Sequence, residues 1–213
     1  MKTTLYVIRH GESVANHMDA LAGQMNVPLT PLGVRQARKT AEFLQDVPLT
    51  AIYSSDLCRA AETARLVAEK HHLSYTQLPE LREINGGLWE GMSYKQIIAD
   101  YPAEYRVWKE NIGLAACPGG ETTQEVQARA KAAIDGIVSR HPEEAVCLVA
   151  HGLMIRMMEG VWTDTPAERI RLIPFVANAS VTVVEYRNGT GRILQRDLHE
   201  HLAELVTFMG VDV

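Results

Sequence analysis

Arg9, His10, Gly11 and Glu12 follow directly on the apolar run Leu5-Tyr6-Val7-Ile8, so a histidine and an arginine stand at the C-terminal tip of a predicted strand. Open α/β sheets hold their ligands at that edge. A histidine there can attack phosphorus through a ring nitrogen that carries no proton, while the planar fork of a neighbouring guanidinium holds two phosphate oxygens. Taken alone, the tetrapeptide is equally a solvated strand end. Two further segments join it. Ala51-Ile52-Tyr53 is a second strand-like run, and the residues after it deliver Arg59 to the start of an alanine-rich helix. Val146-Cys147-Leu148-Val149-Ala150 is a third, running into His151-Gly152. Three parallel strands would each bring a phosphate-compatible group to one edge of a sheet.

Six segments follow one another along the chain: Leu5 to Asn16 (LYVIRHGESVAN), Pro28 to Ala37 (PLTPLGVRQA), Tyr53 to Thr63 (YSSDLCRAAET), Leu81 to Gly91 (LREINGGLWEG), Pro118 to Thr122 (PGGET) and Val149 to Gly152 (VAHG). On these the chain resembles the histidine phosphatase superfamily, also called the phosphoglycerate mutase-like family, over nearly its whole length. His10 is the expected nucleophile, attacking phosphorus in line to give a phosphohistidine; the plainer alternative is that it only binds phosphate. Phosphoryl transfer is catalysed chiefly by positioning and by stabilising charge on the equatorial oxygens, which suits Arg9, Arg59 and His151 around one pocket. The resemblance further implies that Asn16 donates an amide hydrogen bond to a phosphate oxygen, that Gly152 belongs to the binding site, and that Glu83 protonates the leaving oxygen. Asn16 could instead satisfy its own loop. Glu12 and Ser13 are read as supporting residues. Glu90 is a competing carboxylate that either stands behind the site or bonds the glycine-rich turn around it. His71, His72, His199 and His201 read as surface or helix-end residues.

These side chains need a sheet and helices to position them. Thr30-Pro31 reads as N-cap and first turn of a helix to about Asp46. A strand at Thr50 to Tyr53 and a helix at about Leu57 to His71 repeat the rhythm, and Tyr75 to Leu78 is a short strand candidate. Ser93 with Gln96 and Thr122 with Glu125 are capping boxes, the second opening a helix to about Arg140. The strand Ala145 to Ala150 precedes a helix from about Leu153 to Val161, then a cap signal at Thr165-Pro166. Ser180 to Tyr186 and Arg192 to Leu198 flank Asn188-Gly189, a tight-turn dipeptide, so at least one strand runs antiparallel. The expected fold is a three-layer α/β/α sandwich with a mostly parallel sheet, one or more antiparallel strands and a helical lid insertion. One domain spans 1–213, with the lid at about 93–117. The lid carries Tyr94, Tyr101, Tyr105 and Trp108, which either pack on the domain beneath or touch substrate, and only Lys95, Arg106 and Lys109 as cations. That composition favours a neutral or nucleoside-like organic group over a polyphosphorylated one.

Composition sets the outer limits. A net charge of -5 over 213 residues argues against nucleic acid and anionic membranes as partners, so positive charge must be gathered locally. Three cysteines, Cys58, Cys117 and Cys147, are widely spaced with no CxxC pair, which suits a reducing, cytoplasmic setting. The first residues read as a core strand rather than a signal peptide. No apolar run approaches the ~18 residues of a spanning helix. The cysteine-phosphatase loop, the GxxxxGK[ST] nucleotide loop and the GxSxG elbow are missing, and no carboxylate-rich metal cluster accompanies the motifs, so no metal or other cofactor is expected. The stretch from Arg82 to Gly91 departs from the mutase pattern ERHYG and resembles that of broad-specificity phosphatases and alpha-ribazole phosphatase. The expected activity is therefore metal-independent hydrolysis of small phosphate monoesters, a phosphoric monoester hydrolase acting through phosphohistidine. Mutase-type phosphoryl transfer is the alternative. A domain that only binds phosphorylated ligands stands behind both, since such a domain could dispense with His10 and Glu83. Homodimer formation is left open.

Overall fold

The computed structural model of the chain describes residues 2–187 and 189–208. Six strands, β1 (Lys2–Arg9), β2 (Leu49–Ser54), β3 (Thr76–Gln77), β4 (Ala145–Ala150), β5 (Val181–Arg187) and β6 (Thr190–Leu198), form a sheet in the order β3-β2-β4-β1-β5-β6. The first four are mutually parallel; β5 runs antiparallel to β1 and pairs with β6 as a hairpin. Gly189 at the turn has φ +80°, while Asn188 of the expected turn dipeptide lies outside the described residues.

The central strands are apolar at successive positions because both faces are covered. Leu5 and Val7 of β1, with Val146 and Leu148 of β4, pack on helices α6 (Thr123–Arg140) and α7 (Gly152–Trp162). Ile8, Cys147 and Val149, with Ile52 of β2, pack on α2 (Pro31–Phe43) and α3 (Cys58–His71) on the other side. The expected three-layer sandwich is thus formed.

Local signals set most helix starts. Thr30 Oγ1 accepts from the Gly33 N–H with Pro31 opening α2, and both capping boxes form, Ser93 with Gln96 before α4 (Tyr94–Asp100) and Thr122 with Glu125 before α6. The cap expected at Thr165-Pro166 does not: a 3₁₀ helix, Ala167–Leu172, follows Pro166 without a side-chain cap, and Thr165 Oγ1 is bonded to Thr163 Oγ1 instead. A short helix not foreseen, α1 (Val14–His17), follows β1, capped reciprocally by Ser13 and Asn16. Asn in place of Glu or Gln at the third helical position hid that cap from the usual pattern.

The segment 93–117 forms α4, α5 (Pro102–Glu110) and a 3₁₀ turn. Its Tyr94, Tyr105 and Trp108 are buried in the same apolar cluster as α6 and α7, and the Trp108 and Trp89 rings meet edge-on at 5.6 Å. Packing is therefore one role of these aromatics. Among the described residues no helix is long and apolar enough to cross a membrane.

Candidate active site

The strand order β2-β4-β1 sets three neighbouring C-terminal ends side by side, and the site grows from them. His10 follows β1, Arg59 lies in the first turn of α3 after β2, and His151 follows β4 as the N-cap of α7. All three are almost fully buried, as is Arg9. Together with Ser13, Asn16, Glu83, Gly152 and Phe175 they line a cleft that opens to solvent, except that His151 stands behind its wall with its ring 5.0 Å from that of His10.

The tautomer of His10 follows from its partner. Its Nδ1 lies 2.6 Å from the Gly11 carbonyl oxygen, which can only accept, so Nδ1 carries the proton and Nε2 keeps its lone pair. Burial first, then the Arg59 and Arg9 charges, hold His10 well below the ordinary histidine value. His151 is lowered likewise, by burial and then by Arg59, and among the described residues neither of its ring nitrogens has a hydrogen-bond partner. Both rings are therefore neutral near pH 7.

The two guanidiniums are anchored by backbone. Arg59 Nη1 and Nη2 donate to the Met25 and Gly23 carbonyls, each at 2.8 Å, which turns Nε toward His10 Nε2 at 3.3 Å. Arg9 Nη1 donates to the Val176 carbonyl at 2.6 Å, and among the described residues its buried Nε has no partner. Burial brings Arg9 down to about 10, so it stays cationic at neutral pH. A Cβ at Gly152 would meet the Phe175 ring at 3.3 Å and lie in ordinary contact with Arg9 Nε at 3.5 Å. Gly11 is tighter still, since a Cβ would overlap the Gly33 carbonyl, and its N–H donates to Thr63 Oγ1.

Glu83 is held by the first turn of α7. Oε2 accepts from Leu153 N at 3.1 Å, and Oε1 from Met154 N at 3.2 Å and Ile84 N at 3.0 Å. Of the two roles weighed for Asn16, the structure shows the one within its own loop. Its Oδ1 accepts from the Ser13 N–H and hydroxyl, while among the described residues no acceptor engages its Nδ2 at the cavity. Ser13, expected only as support, reaches the cavity wall; Glu12 accepts from the Thr30 hydroxyl and its N–H donates to Gln36. Glu90 bonds the glycine-rich turn, accepting from Gly86 N, and also from Gln24 N. Tyr94 and Trp108 line the cavity as well as the core. Among the described residues no group of three or more His, Cys, Asp or Glu side chains is placed to hold a metal ion.

Sequence reasoning missed the floor of the site. Asn178 Nδ2 donates to the His10 carbonyl at 3.1 Å, Ala179 N to the Arg9 carbonyl at 3.0 Å, and Phe175 lines the cavity. It also missed Arg129 of α6, which pairs with Glu121 and donates to the carbonyls of Glu80, Arg82 and Glu83, fixing the loop that carries Glu83. Neither stretch has a periodicity or motif that marks it; only position in three dimensions does.

Comparison with known proteins agrees with this geometry. Phosphoserine phosphatase 1 of Hydrogenobacter thermophilus is 29% identical over 200 residues, covering 94% of each chain. A probable phosphoglycerate mutase GpmB of Yersinia pestis is 30% identical over 185 residues, 87% of this chain and 86% of that one. The solved structure of Bacillus stearothermophilus YhfR superposes with a TM-score of 0.90 at 34% identity, covering 94% of this chain and 99% of that one. The family model described as histidine phosphatase superfamily (branch 1) matches residues 5–198, and the chain belongs to that family.

Proposed function

We propose that the protein is a metal-independent phosphatase that hydrolyses small phosphate monoesters through a phosphohistidine on His10. The observation that carries the reading is the His10 ring itself, buried beside two cations, with Nδ1–H fixed on the Gly11 carbonyl and Nε2 left unprotonated.

Arg9, Arg59 and the Asn16 amide hold the phosphoryl oxygens, with Gly152 beside them in the lining. Nε2 of His10 attacks phosphorus in line as the ester P–O bond breaks. Negative charge spread over the equatorial oxygens is met by the guanidiniums, and a proton taken up by His151 would add a further donor. Glu83 delivers a proton to the leaving alkoxide. Oε2, with a single N–H donor, is the oxygen free to carry it. Water then attacks the phosphohistidine, Glu83 takes the proton from that water, the N–P bond breaks, and inorganic phosphate leaves with His10 neutral again. The segment 93–117 acts as a lid whose Tyr94 and Trp108 face the organic group.

The relative named as a probable phosphoglycerate mutase favours a second reading, transfer of the phosphoryl group to another hydroxyl. One experiment separates these readings from phosphate binding alone. The full chain in EDTA is given p-nitrophenyl phosphate and then 3-phosphoglycerate. Hydrolysis of the first, with an acid-labile phosphoenzyme that His10→Ala abolishes, supports the proposal. Isomerisation without phosphate release would make it a mutase. Neither turnover nor phosphoenzyme would leave only a binding domain.

A further inference from the structure

The phosphate end of the cavity uses every cation that reaches it. Away from Arg9, His10, Arg59 and Glu83 the lining includes Leu21, Ile84, Leu153, Trp108 and Phe175, with Tyr94 and a further carboxylate, Asp19. The three lid cations Lys95, Arg106 and Lys109 are all exposed and none lines the cavity.

Asp19 is held in place by its backbone rather than its side chain. It adopts φ +52°, a conformation uncommon outside glycine and tolerated best by Asp and Asn. Its N–H donates to the Asn16 carbonyl, and its carbonyl accepts from Tyr94 N, so it bridges α1 and α4 at the mouth. Among the described residues its carboxylate accepts no hydrogen bond and forms no ion pair. The other carboxylates nearby are engaged, Glu83 by three N–H groups and Glu90 by two. With the phosphate held at Arg9 and Arg59, the buried Arg9 Nε having no partner among the described residues, the organic group is left the rest of the lining, which includes Asp19.

We propose that Asp19 selects by charge among the esters, favouring an organic group that carries an ammonium and disfavouring one that carries a carboxylate. This deepens the phosphatase reading and rests on it for the orientation of the ester. Beside a largely apolar wall, the Asp19 carboxylate pairs with a cation on the organic group and repels an anion at the same place.

The probes are three phosphonates of similar length, 2-aminoethylphosphonate, ethylphosphonate and phosphonoacetate, titrated calorimetrically into the full chain. The parent should bind them in the order cation, neutral, anion, with adjacent steps of up to about fivefold, the range of a partly solvated ion pair. Asp19→Asn should collapse the order and Asp19→Lys reverse it. A flat or reversed order in the parent, or the parental order surviving in Asp19→Asn, would overturn the proposal. Turnover of O-phosphoethanolamine, phosphoglycolate and p-nitrophenyl phosphate separates the two readings. If no ester is hydrolysed but the phosphonates rank as expected, the phosphatase reading falls and charge selection stands. If p-nitrophenyl phosphate is hydrolysed while the phosphonates bind equally, selection falls alone.

Discussion

A carboxyl group that must act as an acid matters most when the leaving group is a poor one. Glu83→Gln should therefore slow phosphorylation of His10 by an alkyl phosphate far more than by p-nitrophenyl phosphate, whose phenolate leaves almost unaided. Single-turnover rates decide it, and equal slowing of both esters would remove Glu83 as the acid. Arg59→Ala should cost about 10²–10³ in kcat/KM, the usual loss of one charge-assisted donor. The histidines give a test in stability. His10 and His151 are held below their ordinary value when folded, whereas the unfolded chain binds their protons near pH 6.5. The unfolded state gains protons first as pH falls, so the stabilisation is full above about 6.5 and is lost progressively below it. Denaturant unfolding from pH 8 to 5 should show a steeper loss in the parent than in a His10→Asn, His151→Asn double variant. At this scale the sequence was most legible where a residue type stands at a strand end, as with Arg9, His10 and His151. It was silent on Asn178 and Arg129, whose donors reach backbone carbonyls that any residue could supply.

Helix and strand boundaries came close to expectation wherever a local signal acts alone. The strand Ala145–Ala150 matches in full, and both capping boxes close. Thr122→Ala, which removes one such cap, should lower stability by about 1 kcal/mol in thermal or denaturant unfolding. Expectation failed where tertiary demands replace local ones. Thr165 lost its cap to a 3₁₀ turn, whereas α1 was missed because its local cap, Ser13 with Asn16, departs from the usual pattern. Close packing of the loop after β1 against α2 is equally non-local. Gly11→Ala should cost about 1–3 kcal/mol, because the new methyl meets a backbone carbonyl that cannot swing aside. Arg129→Met tests the clamp on the Glu83 loop. Turnover of alkyl phosphates should fall about ten- to a hundredfold from misplacement of the acid, with inorganic phosphate binding little changed.

Across the whole molecule, the sheet order gathers positive charge within a chain of net charge -5 and leaves its cysteines apart. Burial pushes the Cys117 thiol up to about 12 and the Cys147 thiol higher, while Cys58 is partly exposed. Native protein should take up one equivalent of iodoacetamide and denatured protein three, read by intact mass; labelling of Cys147 without unfolding would contradict the sealed sheet. The neutral imidazoles have one more consequence, in the heat of binding. A phosphate dianion placed beside His10 and His151 replaces the opposing field of two guanidiniums with an attractive one, so the rings gain affinity for hydrogen ions as the ligand enters. Association should then draw protons from the buffer. Titration of inorganic phosphate in two buffers of different ionisation enthalpy should give different apparent heats, and the difference counts the protons taken up.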